Sequence, residues 1–271
     1  MARAAPAVTS GLASGADPAA TFPNSHLLRP AAARAPANWS GARRGSPLEE
    51  LRRAVREEDW ERAYAEGLTR LHMRAEWCAS AERCSLLQVL SSAHRARRVL
   101  EVGAFCGAAT LALAEALPED GEVLSLELDL FVVAFGRRFQ LRSLAGHKIR
   151  HVVGPAAGSL ERLAQEAREG ARAPFDLAVV DADKEGMQRY FRLLWDSPGL
   201  LAEGAVVCVD TTPFKGQPPV RYARYGFPYR WEINSGHEEI AALRQAVQAA
   251  PEFAAHEFGG LLVVQRAPVG P

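Results

Sequence analysis

No run among the 271 residues approaches the roughly 18 consecutive apolar positions of a membrane-spanning helix, so no membrane span is expected. An excess of one charge is also missing. The 32 Lys and Arg are balanced by 32 Asp and Glu, which leaves no bulk field for holding nucleic acid. Cysteine is scarce. Cys78, Cys84, Cys106 and Cys208 form no C-x-x-C pair, so neither a zinc site nor a disulfide framework is expected, and a reducing, intracellular compartment fits. His72, His94, His147, His151, His237 and His256 are scattered without metal-ligand spacing. Acids are nearly absent from residues 1–47, where Asp17 stands alone among Ala, Pro, Ser, Gly and Arg. Such a segment cannot bury enough surface to offset its ordering entropy. Two readings stay open for it: an organelle transit peptide, which would direct the chain to plastid or mitochondrion, or a plain disordered extension of a cytoplasmic protein. The triplet Asn38-Trp39-Ser40 matches a glycosylation acceptor, a pattern common by chance.

What is present is ordinary for a globular chain: 48% hydrophobic and 24% charged residues, over a length that fills a core without staples. Residues 48–271 are read as one domain. Ser46-Pro47-Leu48-Glu49 has the order of a helix cap, a proline at the first helical position and a capping-box acid. A helical stretch follows, with Leu51, Val55, Trp60 and Tyr64 on its apolar side, and a second helix runs from Ser80. After Arg98 short apolar runs alternate with helical ones. Strands are expected at 99–102, 122–126, 149–153, 175–180 and 205–209. Helices are expected at 108–117, 130–144, from Ser159, to Trp195, and at 238–249. Residues 252–258 and 260–264 read as a terminal hairpin. The fold class is therefore α/β, a doubly wound and mostly parallel seven-stranded sheet with helices on both faces and a C-terminal antiparallel hairpin.

In such sheets ligands sit beyond the carboxyl ends of the strands. The first strand ends in Glu101-Val102-Gly103-Ala104-Phe105-Cys106-Gly107. A dinucleotide fold would want G-x-G-x-x-G, and the third glycine is missing, which counts against a nicotinamide-dependent oxidoreductase. The pattern E-x-G-x-x-x-G is the loop commonly used for S-adenosylmethionine. Glu127, ending the second strand, is placed to accept hydrogen bonds from two ribose hydroxyls. The fourth strand ends in Asp181-Ala182-Asp183-Lys184 and the fifth in Asp210-Thr211-Thr212. Neighbouring parallel strands would bring Asp181 and Asp210 to one edge, where two acids suit a hard cation. The plain alternative is that each caps its own turn. Tyr222, Tyr225, Phe227, Tyr229 and Trp231 with three arginines suggest a substrate-lining segment or the contact of a homodimer.

From Ser80 to Val264 the chain resembles the cation-dependent O-methyltransferases of the caffeoyl-CoA and catechol type. The resemblance rests on Ser80-Ala81-Glu82-Arg83-Cys84-Ser85-Leu86-Leu87, the Glu101–Gly107 loop, the Phe175–Lys184 stretch, and Gly204 to Asp210 with Lys215-Gly216 beyond. It implies a small-molecule phenolic acceptor and a cofactor set of Glu101, Gly103, Phe105, Gly107, Glu127, Ala156 and Asp181. It also implies a divalent cation, Mg²⁺ foremost, on Asp181, Asp210 and Thr211. Thr211 stands where the family has Asn, and Gly259 stands where the family tends to carry Asp. Asp181 and Lys184 are the implied catalytic residues, with Lys184 as the base. The alternative reading is a catalytically impaired or metal-independent S-adenosylmethionine-binding protein.

Overall fold

The computed structural model describes residues 45–212 and 236–267. Most of the N-terminal segment, the Lys215-Gly216 element and the aromatic stretch 221–231 lie outside the described residues. The chain opens as the sequence predicts. Ser46 accepts from the Glu49 N–H at 3.3 Å while Glu49 accepts from the Ser46 N–H at 2.9 Å, and helix α1 (Pro47–Glu57) follows with Leu51 and Val55 buried. The expected single helical stretch is broken in two. Glu58 is extended, and Asp59 accepts from the Arg62 N–H at 2.9 Å to start α2 (Trp60–Ala65). An Asp at that position offers the backbone a cap in place of one more helical bond.

After α3 (Ala81–Ala93) come β1 (Arg98–Val102), α4 (Ala108–Ala116), β2 (Glu122–Glu127), α5 (Leu130–Gln140), β3 (Ile149–Val153), α6 (Ala156–Arg168), β4 (Phe175–Val180), α7 (Met187–Trp195), β5 (Leu201–Asp210), α8 (His237–Ala249), β6 (Phe253–Phe258) and β7 (Leu261–Arg266). They form one seven-stranded sheet in the order β3-β2-β1-β4-β5-β7-β6. The first five strands in that order pair in parallel, and β7 pairs antiparallel with both β5 and β6.

Three boundaries differ from expectation by three residues or more, and β5 begins at Leu201 rather than Ala205. Helix α5 stops at Gln140 because Leu141 and Leu144, which would have continued its stripe, are 70% and 97% exposed. Helix α6 starts at Ala156 because Pro155 stands at its cap, where a missing N–H costs nothing, while Ser159 is buried inside the helix.

Strand alternation sorts the core. Leu100, Val102, Leu124, Leu126, Val180 and Val207 face α6, α7 and α8. Val99, Val123, Leu177, Val179 and Val206 face the other way, against Leu87 of α3 and Leu113 of α4. A third cluster joins Leu51, Val55 and Trp60 to Val132, Phe135 and Phe139 of α5, so α1 and α2 cover α4 and α5 from outside. Among the described residues no helix is long and apolar enough to cross a membrane.

Candidate active site

The chain goes from β1 outward to β2 and β3, then returns to place β4 on the other side of β1. That reversal opens a crevice at the carboxyl ends of the strands. A cavity of about 770 Å³ lies there, with Leu71, Met73, Trp77 and Leu86 among its apolar lining and Glu127, Asp181, Lys184 and Asp210 among its charged lining. Gly103, Phe105 and Ala156 also line it. Five of the seven expected cofactor residues are therefore brought together: Gly103, Phe105, Glu127, Ala156 and Asp181.

Glu127 is tied to the loop it faces. Its Oε2 accepts from the N–H groups of Ala104 at 3.1 Å and Phe105 at 2.7 Å, and its Oε1 from that of Asp129 at 3.0 Å. Burial pushes its carboxyl above the usual range, against the pull of those N–H groups. Phe105 has a positive φ of 49°, and its ring packs at 5.2 Å from Trp60 and 6.1 Å from Trp77. The first-strand loop is thus clamped from both sides, by a carboxylate and by aromatic rings. Asp183, also on the cavity wall, accepts from the Tyr190 hydroxyl and the Gly186 N–H, both at 2.6 Å, which shapes the turn into α7.

Glu101 and Gly107 do not line this cavity. Glu101 is one residue out of phase with Val102, so it points to the α4 side, where it is buried and accepts from Thr110 at 2.5 Å and Ser125 at 2.7 Å. Burial raises its carboxyl to about 7, against those two hydroxyls. Gly107 begins α4 in the left-handed region, with φ 75°, and a β-carbon there would lie 2.3 Å from the Gln140 amide nitrogen. Its role is the sharp entry into the helix and the close approach of α5.

Asp181 is half-exposed to the cavity, with burial and then the charge of Asp210 raising its carboxyl to about 6. Lys184 is buried. Its Nζ donates to Asp210 Oδ2 at 2.7 Å and to the Asp210 carbonyl at 3.0 Å, and lies 3.9 Å from Asp181 Oδ1. Asp210 carries a second cation, the Arg83 guanidinium, at 2.8 Å. Arg83 was only one letter of a motif in the sequence. Nothing local to it signals that it meets Asp210, 127 residues away.

Of the three residues expected to hold a divalent cation, Asp181 and Asp210 line the cavity together and Thr211 does not. Thr211 follows the last residue of β5, and its hydroxyl is directed the other way, donating to Glu257 Oε1 at 2.6 Å. Both oxygens of Asp210 are engaged by positive groups. Among the described residues no cluster of three His, Cys, Asp or Glu has the arrangement to hold a metal.

The fold and site define a doubly wound α/β protein with a ligand crevice at its topological switch point. Comparison narrows the class: the model of the O-methyltransferase family matches residues 59–220, and the chain belongs to that family. It is 37% identical to tricin synthase 1 of Oryza sativa subsp. japonica over 139 residues, 51% of this chain and 54% of that protein. It is 29% identical to a caffeoyl-CoA O-methyltransferase of Zinnia elegans over 199 residues, 71% of this chain and 74% of that one. The chain thus spans only about half the length of the first of these relatives. Among solved structures, the O-methyltransferase TomG of Streptomyces achromogenes in complex with S-adenosylmethionine has the same fold. It matches with a TM-score of 0.61 and 23% identity, over 83% of this chain and 90% of that one. An O-methyltransferase of Bacillus cereus with S-adenosylhomocysteine matches with a TM-score of 0.61 and 21% identity, over 83% and 92% of the two chains.

Proposed function

We propose that this chain transfers the methyl group of S-adenosylmethionine to a hydroxyl of a phenolic small molecule. The observation that carries the reading is the single crevice that joins the Glu127-clamped loop to Asp181 and Lys184. The relatives named for caffeoyl-CoA and tricin point to phenolic acceptors, and Leu71, Met73, Trp77 and Leu86 offer an aromatic ring an apolar wall.

In this reading Gly103, Phe105 and Ala156 frame the cofactor. Glu127 has about four acceptor positions, three already taken by backbone N–H groups, which leaves one for a ribose hydroxyl. S-adenosylmethionine supplies a methyl carbon on positively charged sulfur, and the acceptor oxygen takes it as the carbon–sulfur bond breaks. The hydroxyl proton passes to the half-exposed carboxylate of Asp181, and the Lys184 ammonium, 3.9 Å away and donating to Asp210, holds the charge of the pair. Holding the two reactants at attack distance supplies much of the acceleration. The divalent cation implied by the resemblance would lack the Thr211 hydroxyl, which is bound to Glu257, and no step is routed through one.

Calorimetry with S-adenosylhomocysteine, followed by methyl transfer from labelled S-adenosylmethionine to a panel of phenols and catechols, tests the reading. Binding with turnover on at least one phenol is expected, and absence of cofactor binding overturns it.

A further inference from the structure

The place a divalent cation would need is filled by the chain's own positive charge. Oδ1 of Asp210 accepts from Arg83 Nη2 at 2.8 Å and from the Thr212 hydroxyl at 2.9 Å. Oδ2 accepts from Lys184 Nζ at 2.7 Å and from the Thr212 N–H at 3.2 Å. A carboxylate offers about four lone-pair positions, and all are engaged. The guanidinium is held in turn by the carbonyls of Gly260 at 3.0 Å and Gly259 at 3.2 Å. A β-carbon on Gly260 would come within 2.9 Å of the Thr212 hydroxyl and 3.4 Å of Arg83 Nη2, so the hairpin turn fits closely around the ion pair. The Arg83 and Asp210 side chains are only 13% and 8% exposed, and both residues line the same cavity as Asp181. A cation seeking oxygen ligands would have to displace two cations from one carboxylate and would not meet the Thr211 hydroxyl.

We propose that Arg83 replaces the metal. Its guanidinium fixes Asp210, and through it Lys184, so methyl transfer here needs no divalent cation. The proposal rests on the methyl-transfer reading above. Arg83 is a positioning residue, acting through Asp210 and Lys184.

The test is a Mn²⁺ titration of the full chain, followed by electron paramagnetic resonance, in wild type, Arg83→Gln and Arg83→Lys, together with methyl transfer with and without chelator. Wild type and Arg83→Lys should leave the free Mn²⁺ signal unchanged to about millimolar ion, and chelator should alter the wild-type rate less than about twofold. Arg83→Gln frees Asp210 Oδ1. It should bind Mn²⁺ at least about tenfold more tightly, and turn over at least about tenfold more slowly, with Mg²⁺ restoring part of the loss. Micromolar Mn²⁺ binding by wild type, loss of wild-type turnover in chelator, or a folded Arg83→Gln protein with full turnover overturns the proposal. Should Arg83→Gln fail to fold, the wild-type and Arg83→Lys titrations decide. A protein that transfers no methyl group to any phenol defeats the methyl-transfer reading alone, because the Mn²⁺ titration judges Arg83 without turnover.

Discussion

A β-carbon on Gly103 would stand 2.1 Å from the carbonyl oxygen of Asp181, so the turn that ends β1 is spaced to the backbone of the strand carrying the acid. Gly103 also holds φ at 89°, in the left-handed region. Gly103→Ala should therefore lower unfolding stability by about 2–4 kcal/mol, since both the backbone angle and the contact resist a side chain. Gly158, inside α6 with nothing within 4 Å of its β-carbon position, is the control. Gly158→Ala should raise stability by about 0.5–1 kcal/mol. Urea denaturation of both variants checks the pair, and equal effects would refute the packing argument.

Glu127→Gln should weaken S-adenosylhomocysteine binding by roughly 10- to 100-fold, the loss of a charge-assisted acceptor both to the ligand and to the loop that frames it. Calorimetry measures it, and an unchanged dissociation constant removes Glu127 from the cofactor site.

Glu101 predicts a pH dependence of stability. Its folded pKa, about 7, lies above the ordinary 4.5 because burial penalises the anion. Between these values the folded state binds more protons than the unfolded one, so the contribution is fully present below about pH 4.5 and is lost as pH rises through 7. The loss is on the order of 3 kcal/mol. Denaturation of wild type and Glu101→Gln at pH 5 and pH 8 should show the extra decline only in wild type.

Asp181→Asn and Lys184→Met should each lower turnover by roughly 10²- to 10⁴-fold. Lys184→Met should leave cofactor affinity nearly unchanged, because Lys184 bonds to Asp210. Single-turnover methyl transfer beside calorimetry separates the two quantities.

Thr211→Asn should do nothing for Mg²⁺ affinity, since the side chain is directed to Glu257. Thr211→Val should cost about 1 kcal/mol of stability and move turnover less than about twofold.

The fold was legible because its signals are local. Val99 to Val102 and Phe175 to Val180 are short apolar runs stopped by Gly103 and Asp181, and each is a strand ending where the run ends. Ser46 and Glu49 announced α1 three residues apart. The site was legible only in part. Glu127 and Asp181 could be placed because strand ends share one edge of the sheet. Glu101 and Thr211 face away from the cavity because a one-residue step along extended chain reverses the face, which a motif does not record. Arg83 was missed because its partners come from elements distant in sequence, and the twist and packing of the whole sheet decide that they meet.

The span of those contacts also sets the order in which the molecule can become whole. Arg83 and Asp210 are 127 residues apart, and the Gly260 carbonyl that holds the same guanidinium is 177 residues from it. As the chain leaves the ribosome, the β1–β4 strands can pair while Arg83 still has neither partner. Loops this long are closed late and against the largest entropy. The crevice therefore matures only after the β6–β7 turn has been synthesised and docked, and a nascent chain paused before Gly259 carries its Gly103–Gly107 loop with an unfinished charge beside it.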